Sequence, residues 1–168
     1  MTLAELNAAD RESFVRALGW IFEDSPWVAE RTWERRPFGS IDDLHAAMTA
    51  VVERAREAEQ LALLRAHPDL GTRARISDAS TGEQHGAGLD RLTPGEFARL
   101  QRLNARYRET FGFPFLLAVK GSTKEDVLRA LDVRVGRPGS EEFAEALRQV
   151  YTIARFRLEE LQRGETVR

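Results

Sequence analysis

From about Glu141 to Arg163 the chain places Phe143, Leu147, Val150, Ala154, Leu158 and Leu161 three or four residues apart. Those side chains share one face of a helix, which must then be buried. The same period recurs upstream. Ile41, Leu44, Met48, Val51, Val52 and Ala55 follow Ser40, a suitable N-cap, with Asp43 three residues on. Thr93-Pro94-Gly95-Glu96 is a capping box with proline at the first helical position. It leads into Phe97, Leu100, Leu103, Tyr107 and Phe111, and Gly112 ends that helix. Shorter helices are expected between Ser25-Pro26 and Arg36-Pro37-Phe38-Gly39, from Ala58 to Ala66, and from Ser122-Thr123-Lys124-Glu125 to about Val133. Gly136-Arg137-Pro138-Gly139-Ser140 then turns into the last helix. No pair of segments alternates as paired strands do. The fold class expected is all-α, a single-domain irregular bundle of about six to eight helices spanning residues 1–168.

Two stretches escape the helical period. Residues 67–95 carry glycines at 71, 82, 86, 88 and 95 among small polar residues, and read as loop with at most one short helix. Loops this long in a small domain usually carry function or are disordered, and Leu70, Ile76, Ala87 and Leu89 argue that this one is pinned. The second stretch, Phe113-Pro114-Phe115-Leu116-Leu117-Ala118-Val119, is apolar throughout. It is either a short extended segment or the start of a buried helix, and periodicity does not choose between them.

Composition removes whole classes of function. The chain has no cysteine, which excludes disulfides, thiolate zinc sites, iron–sulfur clusters and a cysteine nucleophile. With 25 Lys and Arg against 27 Asp and Glu, the formal net charge of −2 supports neither broad nucleic-acid binding nor polybasic membrane attachment. No apolar run reaches the roughly 18 residues that span a bilayer. Met1-Thr2-Leu3-Ala4-Glu5-Leu6-Asn7 is not a secretory signal, and the final Glu165-Thr166-Val167-Arg168 is not a peroxisomal one, so the cytoplasm is the expected location.

Proton transfer then falls to His, Asp and Glu. Of the three histidines, His45 lies beside Leu44 on the Ser40 helix and reads as a packing residue. His85, between Gln84 and Gly86, does not by itself choose between a solvated loop residue and a site residue. His67 stands at the end of a helix-forming run and directly before Pro68. The proline ring fixes the backbone there, so His67 is either a C-terminal cap or an imidazole presented from a defined position. Ser80-Thr81-Gly82-Glu83 fits a capping box, and a helix starting there also offers free N–H groups to an anion. Gln84 adds an amide able to pair with a urea-like group. At about 100° per residue, Arg157 lies near the centre of the last helix's apolar face and Arg155 beyond its edge. Arg157 either snorkels or turns its guanidinium into an enclosed site where it can grip a carboxylate. Asn104, inside an apolar stripe, reads as a satisfied structural amide. No metal-ligand spacing, phosphate loop or nucleophile elbow is present.

Four motifs in this order resemble one family. They are Ala66-His67-Pro68-Asp69-Leu70-Gly71, Ser80-x-x-Glu83-Gln84-x-x-Ala87-Gly88-Leu89, Asn104-x-x-Tyr107-x-x-x-Phe111-Gly112-Phe113-Pro114-Phe115, and Ile153-x-x-x-Arg157-Leu158. Trp33-x-x-Arg36-Pro37-Phe38 fits as well. Together they resemble the 2-oxo-4-hydroxy-4-carboxy-5-ureidoimidazoline (OHCU) decarboxylases of urate breakdown. The resemblance implies an all-helical, cofactor-free and commonly dimeric enzyme that yields (S)-allantoin and CO2. It implies that His67 is the catalytic histidine and Glu83 the carboxylate working with it. Pro68, Ser80, Gln84 and Arg157 match substrate-contacting positions. Phe115, Leu116, Leu117, Ala118 and Val119 match a segment that binds substrate partly through its backbone. The partner so implied is a small ureide, with no nucleic acid, membrane or metal, and a second copy of the chain in a homodimer. Decarboxylation through an enolate-like intermediate needs an oriented carboxylate, a stabilised oxyanion and one proton delivered to one face. Histidine has the pKa range for that proton. Two other readings remain: a non-catalytic module that binds a ureide, and a related ureide-processing enzyme, including a metal-dependent hydrolase.

Overall fold

The computed structural model describes residues 1–70, 89 and 92–164. Eight helices make up its regular structure, and no strand occurs among the described residues. The all-α expectation is met. The residues divide into two compact units: Met1–Ala66 together with the chain from Tyr151 onward, and His67–Val150.

The first unit begins with two helices that the periodicity above did not single out. Helix α1 (Leu3–Ala8) starts at a capping box in which Thr2 and Glu5 satisfy each other's backbone N–H. Helix α2 (Arg11–Leu18) starts at Asp10, whose carboxylate accepts from Ser13 N–H. Helix α3 (Trp27–Trp33) starts one residue later than Ser25-Pro26 suggests. Pro26 is its N-cap, and no side chain caps it. Ser25 is buried and donates its hydroxyl to the Glu23 carbonyl 2.8 Å away. Helix α4 (Ile41–Glu53) has the expected Ser40 cap and buries Leu44, Met48, Val51 and Val52. Helix α3 packs on both α2 and α4. Helix α5 (Glu57–Ala66) stops where His67-Pro68 requires.

The Trp33–Phe38 motif ties this unit together. Arg36 Nη1 donates to the carbonyls of Asn7 (2.9 Å) and Ala9 (2.8 Å), and Trp33 Nε1 donates to Ala9 as well, at 3.1 Å. Asn7 and Phe38 exchange two further bonds, with the Asn7 amide donating to the Phe38 carbonyl and accepting from its N–H. These bonds satisfy the carbonyls left open where α1 ends.

In the second unit, α6 (Pro94–Phe111) opens on the expected Thr93–Glu96 capping box. It ends at Gly112, whose φ of 80° is a left-handed conformation that glycine adopts without a Cβ penalty. Its buried face is Leu100, Leu103, Asn104 and Tyr107. Phe97, expected on that face, is 42% exposed, because the stripe drifts to solvent in the first turn. Helix α7 (Lys124–Arg134) opens on a Thr123–Asp126 capping box and packs against α6. Helix α8 (Gly139–Gln162) passes from the second unit into the first between Val150 and Tyr151. Tyr107 is the hub of an aromatic cluster with ring centroids at 4.5 Å to Phe111, 5.9 Å to Phe113 and 5.4 Å to Phe115.

Candidate active site

His67 is 5% exposed and Pro68 partly exposed, on the loop that opens the second unit. That loop is strapped to α6. Asn104 Nδ2 donates to the Leu70 carbonyl at 2.9 Å, and Arg108 Nη2 reaches Asp69 Oδ1 at 3.3 Å. Asn104 is a structural amide on its donor side, with the Leu70 carbonyl as its partner, but its Oδ1 is buried without a hydrogen bond among the described residues, so the amide is only half satisfied. His67 lies three residues before that carbonyl, so the strap limits how far the loop moves.

Phe115–Val119 is neither helix nor strand, which removes the buried-helix alternative that its composition left open. Phe115, Leu116 and Val119 are buried, whereas Leu117 and Ala118 are partly exposed. Side chains hold its backbone from outside. Arg134 Nη1 donates to the Leu116 carbonyl at 2.7 Å. Gln149 Oε1 accepts from the Ala118 N–H at 2.9 Å. The Val119 carbonyl accepts from Ser122 N–H at 2.9 Å. Among the described residues, no hydrogen bond engages the N–H or C=O of Leu117.

Arg134 is itself fixed. It is buried, its Nε donates to Glu142 Oε1 at 2.8 Å, and its guanidinium lies 4.5 Å from the centre of the Phe115 ring. The same Glu142 oxygen accepts from the Tyr107 hydroxyl at 2.6 Å, while Arg137 Nη1 stands 3.5 Å from Oε2. Burial, and then this bond to a carboxylate, push the Tyr107 phenol well above its ordinary range.

In the first unit Arg157 is 2% exposed. Its Nη1 donates to Glu23 Oε2 at 2.8 Å and to the carbonyls of Trp20 (3.2 Å) and Ile21 (3.4 Å). The head group is therefore inside the protein, and the snorkelling alternative does not hold. Arg155 faces outward as its helical angle requires, paired with Asp42 and, at 3.0 Å, with Glu159. His45 is structural: its Nε2 donates to the Tyr151 carbonyl at 2.8 Å. Ser80, Glu83, Gln84 and His85 lie outside the described residues.

Sequence reasoning did not single out Arg134, Glu142, Gln149 or Glu23. A signal existed for the first two. Arg134 continues the buried Val127, Leu128, Leu131 face of α7, and Glu142 precedes Ala146 and Val150 on the buried face of α8. A charge in such a stripe needs a partner. No cluster of three or more metal-ligating side chains occurs among the described residues. None of their helices is long and apolar enough to cross a membrane.

The OHCU decarboxylase family model matches residues 7–159. An OHCU decarboxylase of Halalkalicoccus jeotgali is 50% identical over 161 residues, covering 96% of this chain and 92% of that protein. The uric acid degradation bifunctional protein PucL of Bacillus subtilis is 46% identical over 167 residues, which are 98% of this chain and 34% of that longer protein. Among solved structures, an (S)-allantoin synthase superposes with a TM-score of 0.77 at 36% identity, covering 95% of this chain and 54% of the other. A crystal structure of an OHCU decarboxylase in the presence of (S)-allantoin shares the fold, with a TM-score of 0.72 at 19% identity. The chain is a member of the OHCU decarboxylase family.

Proposed function

We propose that this chain decarboxylates OHCU to (S)-allantoin and CO2 in urate catabolism, acting over residues 1–168 as one functional domain. The observation that carries the reading is a buried histidine, His67, on a loop whose carbonyl is tied to α6 by Asn104. Family membership across both compact units supports it. The bond between the ring carbon and the carboxylate breaks, CO2 leaves, and the electron pair passes into the ring as an enol-type intermediate. His67 delivers the proton to one face of the ureido-bearing carbon, with Glu83 as its partner. Pro68, Ser80 and Gln84 contact the substrate, Arg157 holds it, and backbone groups within Phe115–Val119 bind its polar edge. The chain works without a cofactor, as a homodimer, in the cytoplasm.

The test is circular dichroism at an allantoin band, with OHCU generated in situ from urate by urate oxidase and hydroxyisourate hydrolase. The expected result is fast accumulation of one enantiomer that H67A abolishes. A trace indistinguishable from the enzyme-free control overturns the reading. An H67A variant that still turns over removes His67 from its role.

A further inference from the structure

Three helices send side chains to one short stretch of irregular backbone. Tyr107 of α6 and Arg134 of α7 meet on Glu142 of α8, and Arg134 carries the connection on to the Leu116 carbonyl. Two residues further along, Gln149 of α8 accepts from the Ala118 N–H, and Gln149 Nε2 is in turn anchored on Glu145 Oε2 at 2.7 Å.

The two anchor points bracket Leu117. A peptide unit is planar and, when trans, its C=O and N–H point in opposite directions. The bonds on either side of Leu117 are trans, since among the described residues the cis peptide is Arg36–Pro37. Fixing the Leu116 carbonyl on Arg134 therefore turns the Leu117 N–H away from Arg134. Fixing the Ala118 N–H on Gln149 turns the Leu117 carbonyl away from Gln149. Both Leu117 groups are without hydrogen bonds among the described residues, on a partly exposed residue. One donor and one acceptor, adjacent and aimed, match the alternating N–H and C=O groups of a ureide.

We propose that Arg134 and Gln149 are positioning residues that set the direction of the Leu117 N–H and C=O as a donor–acceptor pair for the ureide substrate. This rests on the decarboxylase reading above. A buried ion pair is not needed for stability alone, because an apolar side chain of similar volume often does as well. Arg134 also leaves its buried Nη2 without a hydrogen bond, a cost that a purely stabilising residue would not carry. What arginine supplies is a rigid fork that reaches Glu142 and the Leu116 carbonyl together; lysine, with one nitrogen, holds one of them.

The test uses the full chain with R134K and Q149M, measured by thermal unfolding, by kcat and KM for OHCU, and by the enantiomeric purity of the allantoin. R134K keeps a cation beside Glu142, and Q149M removes the acceptor for Ala118 without touching the buried carboxylate. Both are expected to unfold below the wild-type temperature, since each takes a hydrogen-bond partner from a buried or part-buried group, and to be fully folded at the assay temperature. Both are expected to lose about 10- to 100-fold in kcat/KM, the scale of a misplaced binding group, and to release a less pure enantiomer. Q149M is expected to act mainly on KM. A merely structural role would lower Tm and leave kcat/KM and enantiomeric purity of the folded variants at wild-type values. Should R134K fail to fold, Q149M decides. Wild-type kcat/KM and purity in folded Q149M overturn the proposal while the wild-type activity stands. A wild-type chain that does not accelerate (S)-allantoin formation overturns the decarboxylase reading instead.

Discussion

Glu23 accepts a hydrogen bond of 2.8 Å from Arg157 Nη1, so the arginine expected to hold substrate is itself held by a carboxylate 134 residues earlier in the chain. Two carbonyls from the same turn, Trp20 and Ile21, take the same nitrogen. The guanidinium is therefore oriented before any ligand arrives, which lowers the cost of ordering it on binding.

Removing Glu23 tests that orientation. E23A takes a carboxylate partner away from a buried cation and is expected to cost about 1–3 kcal/mol of stability. KM is expected to rise more than kcat falls. E23Q keeps an accepting oxygen at the same place and should lose less on both counts. Denaturant unfolding and steady-state kinetics of the two variants check this, and equal losses in E23A and E23Q would show that charge rather than position matters.

Asn104 makes a sharper prediction about sign. N104A leaves the Leu70 carbonyl without its donor, at about 1–3 kcal/mol. N104D is the same size but sets a carboxylate oxygen where the amide donated, so at neutral pH it is expected to be the less stable of the two. Both should lower kcat about 10-fold or more, because the strap they cut lies three residues from His67. Chemical denaturation at pH 7 orders the variants.

Part of this is legible in the sequence. His67-Pro68 marked a helix end, and Thr93-Pro94-Gly95-Glu96 a helix start, because caps and proline act locally. Helical angle puts Arg157 near the apolar face but leaves snorkelling open, because an angle does not say where a long side chain ends; its burial is visible only in the structure. Helices α1 and α2 were passed over because six and eight residues are too few for a period to show, although Thr2, Glu5 and Asp10 were there to read as caps. The Trp33–Phe38 stretch was recognised as a motif, but its bonds to Asn7 and Ala9 span more than twenty residues and no local rule predicts them. The same holds for Arg134: its burial had a signal in the α7 stripe, whereas its choice of the Leu116 carbonyl depends on how α6, α7 and α8 meet.

Acid should act on the first unit through Glu59. Its carboxylate accepts from Arg31, and chiefly through that bond its pKa falls from an ordinary 4.5 to about 2. A folded pKa below the unfolded one means the stabilisation is fully present above 4.5 and is lost as pH falls toward 2. Thermal unfolding midpoints should drop through this window, and E59Q should start lower and fall less steeply. Parallel curves for E59Q and wild type would remove Glu59 from the acid response.

Alkali should act through the tyrosines, of which the chain has two. Burial, reinforced by Glu142, raises the Tyr107 phenol, and burial, reinforced by the charge of Glu53, raises that of Tyr151. Both raised values lie above the ordinary 10.0. The unfolded chain then releases protons that the folded chain retains, so stability is intact below pH 10 and declines above it, by about 1.4 kcal/mol per pH unit for each tyrosine that ionises only on unfolding. Absorbance at the phenolate band should stay flat as folded protein is titrated past pH 10, then rise for both residues together with loss of the helical dichroism. Y107F should halve that step and make the alkaline loss of stability shallower. It also withdraws one donor from Glu142, so its stability at neutral pH should be lower by about 1–2 kcal/mol. A phenolate signal that develops in two separate steps while the helices remain intact would mean that one of the phenols is open to solvent.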